Sequence, residues 1–248
     1  SISLLKLRAS LGRTGNQGLG DYPYQSTYCT ANYGDEPGYY PCNLGNNALG
    51  WEKTTQTNLG FDLELWNGRA AFTADWYNKS TTDLLLSRPI PGSSGYTSFT
   101  DNIGAMRNRG LELVFTAVPL QPTRADGLRL VTTINLSFNR NQVTALYNDQ
   151  PFSTGYYDMN RVAVGHPLGE FHAYKFLGVD PTTGDAIYKD TNNDGDITTE
   201  DKTFVGSPWP DYTGGLTTTL SWKRFDLTGF FQFSQGNKVF NAMRQFAD

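Results

Sequence analysis

The stretch Asp190-Thr191-Asn192-Asn193-Asp194-Gly195-Asp196-Ile197-Thr198-Thr199-Glu200-Asp201 carries the residue types that a hard divalent cation requires. Side-chain oxygens fall on Asp190, Asn192 and Asp194, Gly195 supplies a sharp turn, and Asp196 offers its backbone carbonyl, the donor order of a calcium loop. Asp201 ends the pattern where such a loop has a bidentate Glu, and its shorter reach lowers affinity or changes the geometry. The preceding residues 184–189 read as strand, so the flanking helix of an EF-hand is missing. The same letters also spell a run of Asx turns that needs no ion, because Asn, Asp and Gly are the commonest turn formers. In either form the loop is structural. Calcium is the one cofactor the sequence suggests, and none is required.

Two other groups invite chemistry. Cys29 and Cys42 lie in a Tyr-, Asn-, Gly- and Pro-rich segment that suits a local disulfide in an oxidising compartment; two unpaired thiols are the alternative. Tyr22, Tyr24, Tyr39, Tyr40, Tyr96, Tyr156 and Tyr157 sit among Gly, Ser and Asn, as in binding loops where tyrosine gives contact area and a hydroxyl at low entropic cost. Packing of loop on loop explains them equally well. Catalytic constellations are not found. His166 and His172 are too widely spaced for a zinc-binding helix pair, and no nucleophile elbow, P-loop or dinucleotide fingerprint occurs. Asp62, Glu64, Asp75 and Glu112 raise the question of a glycosidase carboxylate pair. They fall on the polar faces of strands, where lining a wet surface accounts for them, and the chain is read as a non-enzyme.

The elements that position these residues follow from period-two alternation. Leu5, Leu7, Ala9 and Leu11 alternate with Lys6, Arg8 and Ser10, and a loop is expected from Gly12. Leu59, Phe61, Leu63 and Leu65 lead into Asn67-Gly68, the dipeptide of tight two-residue hairpins, and Phe72, Ala74 and Trp76 follow as the partner strand. Two more strands carry Leu111, Leu113, Phe115 and Ala117, then Leu128, Leu130, Thr132, Ile134, Leu136 and Phe138. The last pair, Leu216 to Trp222 and Phe225 to Phe233, is joined at Lys223-Arg224. Each strand has one apolar and one polar face, the latter carrying Lys6, Arg8, Asp62, Glu64, Asp75, Glu112 and Arg129.

Several segments reach the roughly 10 residues that cross a bilayer at a tilt, whereas soluble sandwich strands average about 5 to 6. Short turns alternate with long loops, expected at 12–51, 87–106 and 140–165, and Trp66, Trp76, Phe138 and Trp222 at apolar strand ends suit an interfacial girdle. The composition agrees: 26 Gly, 14 Tyr, 15 Phe and 5 Trp favour β structure over helix. A net charge of -4 without a basic run excludes nucleic acid as a partner. The expected fold is all-β, an antiparallel transmembrane β-barrel segment with long extracellular loops, in contact with outer-membrane lipid. The rival is a secreted or surface β-sandwich that binds glycan through its tyrosine loops.

Six stretches, in this order and spacing, resemble the SusC/RagA group of TonB-linked outer-membrane proteins in the C-terminal part of the barrel. They are residues 5–24, 51–91 (WEKTTQTNLGFDLELWNGRAAFTADWYNKSTTDLLLSRPIP), 102–119 (NIGAMRNRGLELVFTAVP), 136–146, 190–216 and 225–241. The resemblance implies a barrel of about 22 strands in the outer membrane of a diderm bacterium. It further implies active import of a glycan or peptide nutrient, with energy from the TonB complex and capture by a SusD-like surface lipoprotein. On this reading residues 1–248 are a single barrel-domain fragment containing the calcium-type loop 190–201. The plug, the TonB-contacting segment and the closing strands are expected to lie elsewhere, because the chain stops at Phe246-Ala247-Asp248 without an aromatic closing strand.

Overall fold

The computed structural model describes residues 1–18, 20, 22–96, 98–123 and 127–243, with the side chains of Tyr33 and Pro89 left aside. The ending at Phe246-Ala247-Asp248 therefore lies outside the described residues. In chain order, β1 (Ile2–Asn16) is followed by a hairpin of β2 (Thr27–Tyr33) and β3 (Glu36–Asn43). Four long strands come next: β4 (Glu52–Leu65), β5 (Ala70–Pro89), β6 (Ser98–Leu120) and β7 (Arg129–Ala145). An excursion carries β8 (Phe152–Thr154), β9 (Asn160–Val162), β10 (Glu170–Ala173), β11 (Phe176–Val179), β12 (Ala186–Tyr188) and β13 (Thr203–Gly206). The chain then returns as β14 (Tyr212–Trp222) and β15 (Phe225–Gln235).

Seven strands form one antiparallel sheet in the order β1-β4-β5-β6-β7-β14-β15, so β14 takes the place beside β7 despite the excursion between them. The register explains why the alternation is so regular. Leu7, Phe61, Ala74, Leu113, Leu136, Gly214 and Phe233 are successive cross-strand partners across all seven strands. So are Leu5, Leu63, Phe72, Phe115, Ile134, Leu216 and Phe231. Because side chains alternate between faces, these rows make one face continuously apolar.

Nothing in the described residues covers that face. Leu7 is 78% exposed and Phe231 62%, and among the described residues the buried apolar side chains are Ala74, Val118, Val143, Leu146 and Val162. A folded monomer of 27.5 kDa exposes about 11,000 Å², whereas this chain exposes 17122 Å². A two-layer sandwich would hide its apolar rows between sheets. The single-layer wall overturns the sandwich alternative.

Four further expectations change. The Asn67-Gly68 connection is a four-residue one, with Leu65 paired to Ala70 and the Arg69 amide donating to the Trp66 carbonyl at 3.3 Å. Trp66, Asn67 and Gly68 all have positive φ, so the chain turns over three left-handed residues instead of two. β1 continues to Asn16, past the loop expected from Gly12. The expected loop at 87–106 shrinks to 90–97, because β5 and β6 run for 20 and 23 residues, and the one expected at 140–165 begins after Ala145 and extends to 211. At about 3.3 Å per residue β6 is about 75 Å long, close to twice what a tilted crossing needs. The Lys223-Arg224 turn is as expected, with Trp222 paired to Phe225.

Candidate functional site

The polar face is held by side chains that reach across glycines. Arg8, Gly60, Asp75 and Glu112 are cross-strand partners in one row, and Lys6, Asp62 and Thr73 in the next. The Arg8 guanidinium donates from Nε to Asp62 at 3.0 Å and from Nη2 to Asp75 at 2.9 Å, while Thr73 donates to Asp62 at 3.1 Å. Arg8 reaches Asp75, two strands away, because Gly60 leaves the space between them empty; a Cβ there would collide with both partners. Tyr77 repeats the device. Its ring lies over Gly110 and its hydroxyl donates to Asn139 at 3.0 Å, three strands bridged by one side chain. Of the carboxylates singled out by the sequence, Asp62 and Asp75 are thus ion-paired to Arg8, and Glu64 and Glu112 share their face.

The opposite face is adapted to an apolar surrounding. Its lone polar interruption in the middle of the rows, Thr132 and Thr218, is self-satisfied, with the two hydroxyls 3.3 Å apart. On the same face Trp76 and Phe138 flank Leu111, Phe138 meets Tyr212 at 6.0 Å, and Trp222 stands at the far end of β14.

The loops gather at the end of the sheet away from the turns at 66–69 and 223–224. Buried Asn46 donates to Thr100 O at 3.1 Å and to Asp101 at 3.2 Å and accepts from Ala48 N at 2.9 Å, tying the segment after β3 to the start of β6. Asn102 adds a reciprocal pair with the Gly50 backbone at 2.6 and 2.9 Å. Sequence reasoning passed over both asparagines, since nothing local distinguishes them from turn residues. The tyrosines do not converge. Tyr22 and Tyr24 form an edge-to-face pair at 6.2 Å beside Trp51, while Tyr39 and Tyr40 are exposed on β3. Tyr96 is half-buried before β6, and Tyr156 packs on Tyr157 at 4.4 Å and on Phe240 at 6.3 Å. Cys29 and Cys42 face each other across the β2–β3 hairpin with Cα atoms 5.7 Å apart, a separation that a disulfide spans.

In the 190–201 loop Asp190, Asp194 and Asp201 are engaged with the loop's own amides. Asp190 accepts from Asn193 N at 2.6 Å and Gly195 N at 2.8 Å, and Asp194 accepts from Asp196 N at 2.9 Å and from the Asn192 side chain at 2.8 Å. Asp201, completely buried, accepts from Thr191 N at 2.6 Å and Thr198 N at 2.8 Å and forms a capping box with Thr198 over the turn 199–201. These amide donors, Thr198 first and Thr191 second, hold the Asp201 carboxyl below its ordinary range. Among the described residues no group of three or more His, Cys, Asp or Glu is placed to hold a metal ion. Phe204 stacks on His166 at 3.8 Å and meets His172 edge-on at 5.1 Å, and His166 Nδ1 lies 2.8 Å from Glu170 Oε2. Burial, and then the charges of Arg161 and Lys202, push the His172 imidazole towards its neutral form.

One face apolar and uncovered, the other polar and ion-paired, with short turns at one end and long loops at the other: this is the wall of an antiparallel barrel of the transmembrane type. Residues 3–243 match the family described as TonB dependent receptor-like, beta-barrel, and the chain belongs to it. It is 31% identical to a TonB-dependent receptor of Formosa agariphila and 30% identical to TonB-dependent receptor SusC of Bacteroides thetaiotaomicron, over 96% of its own length in each case. Those matches cover 27% and 26% of the relatives, so the chain spans about a quarter of their length. Among solved structures, that of the RagAB peptide transporter superposes with a TM-score of 0.84 at 28% identity, covering 95% of this chain and 27% of that one.

Proposed function

We propose that this chain forms part of the barrel wall of an outer-membrane importer that takes up a nutrient, oligosaccharide or peptide, with energy from TonB. The observation that carries the reading is the seven-strand apolar face left uncovered while the opposite face is charged, an arrangement suited to lipid outside and water inside. On this reading Arg8, Asp62, Asp75 and Glu112 line the lumen, and the loops bearing Tyr22, Tyr24, Tyr39, Tyr40, Tyr96, Tyr156 and Tyr157 lie on the cell exterior. There they offer contact area to ligand beside a SusD-like lipoprotein. The likeness to SusC and to the RagAB peptide transporter supports this assignment. Coupling to TonB belongs to parts of the receptor beyond this chain. The Cys29–Cys42 bond tightens the exterior hairpin, and the 190–201 loop stands on its own hydrogen bonds without need of calcium.

Deletion of the gene for the intact receptor tests the function, with labelled oligosaccharide and labelled peptide pools offered to the cells. TonB-requiring loss of uptake of one pool identifies the cargo class; unchanged uptake of both would overturn the proposal.

A further inference from the structure

Directly above Trp76, Leu111 and Phe138 the outward face changes character. The next row on that face holds Asn78, Arg109 and Arg140, and the one beyond holds Ser80, Arg107 and Gln142. Arg109 and Arg140 are direct cross-strand partners, an arrangement of like charges that costs a sheet stability. Arg107 donates to Gln142 at 3.2 Å, and Gln142 donates to Gly165 O at 3.2 Å, which fixes that corner while Arg109 and Arg140 stay exposed. None of the ion pairs among the described residues involves these three arginines. They line a cleft of about 270 Å³. Its wall includes Trp209, held by an indole hydrogen bond to Leu168 O at 2.8 Å, and one carboxylate, Asp211.

We infer that this cleft seats the phosphate of a lipid headgroup from the leaflet on the long-loop side. Two uncompensated guanidiniums present the fork geometry that phosphate oxygens accept bidentately. Their height selects a lipid over a dissolved anion. They stand one row beyond the aromatic end of the apolar face, where headgroups lie, with Leu111, Leu113 and Leu136 below to meet the acyl chains. The anion relieves the repulsion between Arg109 and Arg140, so the lipid fastens this stretch of wall at a fixed depth. The inference rests on the membrane reading above.

The test uses the intact receptor in lipid nanodiscs, with native mass spectrometry of retained phosphorylated glycolipid. Probes are that lipid, its dephosphorylated form and inorganic phosphate. The parent is expected to retain one phosphorylated lipid, and Arg109→Gln/Arg140→Gln to retain about tenfold less or lower still, the loss of one charge-assisted hydrogen bond or more. Lys223→Gln/Arg224→Gln, at the other end of the wall, keeps the lipid. Equal retention of the dephosphorylated form, displacement by inorganic phosphate, or full retention by the arginine variant would overturn the site. So would a variant that keeps its lipid but loses a co-purifying surface lipoprotein. A receptor that inserts and shifts normally on heating yet holds no lipid refutes this inference alone, whereas failure to insert refutes the membrane reading beneath it.

Discussion

Arg8 and Asp75 meet across Gly60, an ion pair between the first and third strands of the sheet with N–O distances of 2.8 and 2.9 Å. The wall is stitched on its wet side by such bridges, each of which needs a residue without a side chain beneath it. A Cβ at Gly60 strikes the Asp75 carboxylate and the Arg8 guanidinium and must push their ion pair apart, so Gly60→Val is expected to destabilise the barrel by about 1 to 3 kcal/mol through overpacking. Urea titration of the intact receptor in vesicles measures it. In an Arg8→Met/Asp75→Leu background, where the bridge is already gone, the same substitution costs less.

The Thr132 and Thr218 hydroxyls are partners on the apolar face. Removing one strands the other away from water, so Thr132→Val or Thr218→Val alone is expected to cost about 1 kcal/mol or somewhat more, and the double variant close to nothing. The same urea titration supplies the cycle. Additive costs would place water at this pair.

Charge on the apolar face is expected to be costly in proportion to depth. Leu113→Arg, in the middle of the rows, should lose about 2 to 4 kcal/mol, while Thr133→Arg on the other face is tolerated and changes uptake instead. Refolding yields of the two variants in vesicles compare them directly.

The 190–201 loop is closed by Asp201 as a carboxylate. Its folded value is depressed, so the contribution is fully present above the ordinary carboxylate range of about 4 and disappears as pH falls through the lower folded value. Hydrogen exchange of peptides spanning 190–202, corrected for intrinsic rate, should show protection at neutral pH that is lost in strong acid and already absent in Asp201→Asn. Millimolar calcium is expected to leave protection at neutral pH unchanged. A gain on adding calcium would mean that the Asp190, Asn192 and Asp194 side chains rotate off their amides to ligate it, with the Asp196 carbonyl beside them.

Cys29 and Cys42 are expected to resist alkylation until reduced, after which both react. Intact-mass measurement before and after reduction reads this directly.

Much of the wall was legible in the sequence because a lipid-facing strand must alternate: Leu59 to Leu65 and Phe72 to Trp76 do so throughout, and Leu216 to Trp222 and Phe225 to Phe233 do so apart from Thr218 and from Gly229-Phe230. The extensions of β5 and β6 were not legible. Residues 77–89 and 98–110 lie beyond the aromatic end of the apolar rows and lose the one-sided alternation that marks a strand, and a bulge around Thr82 and Asp83, the latter with positive φ, shifts the register. The turn at Asn67-Gly68 was read as shorter than it is because Trp66, a residue that seldom turns left-handed, shares the bend. The loop anchors Asn46 and Asn102 are legible only in three dimensions, since their partners lie more than fifty positions along the chain.

Tyr212 and Trp222 mark the two ends of the outward face on β14. They are about 33 Å apart along the strand and, for a tilt of about 40°, about 25 Å apart along the membrane normal, the height of a barrel's apolar band. The most direct test lies between them. Leu216→Cys and Thr217→Cys, placed one at a time in the intact receptor with Cys29 and Cys42 replaced by serine, are exposed in outer-membrane preparations to a water-soluble thiol reagent. The wall described here predicts rapid labelling at position 217 and almost none at 216 until detergent strips the lipid. Equal labelling at both positions, or faster labelling at 216, would contradict it.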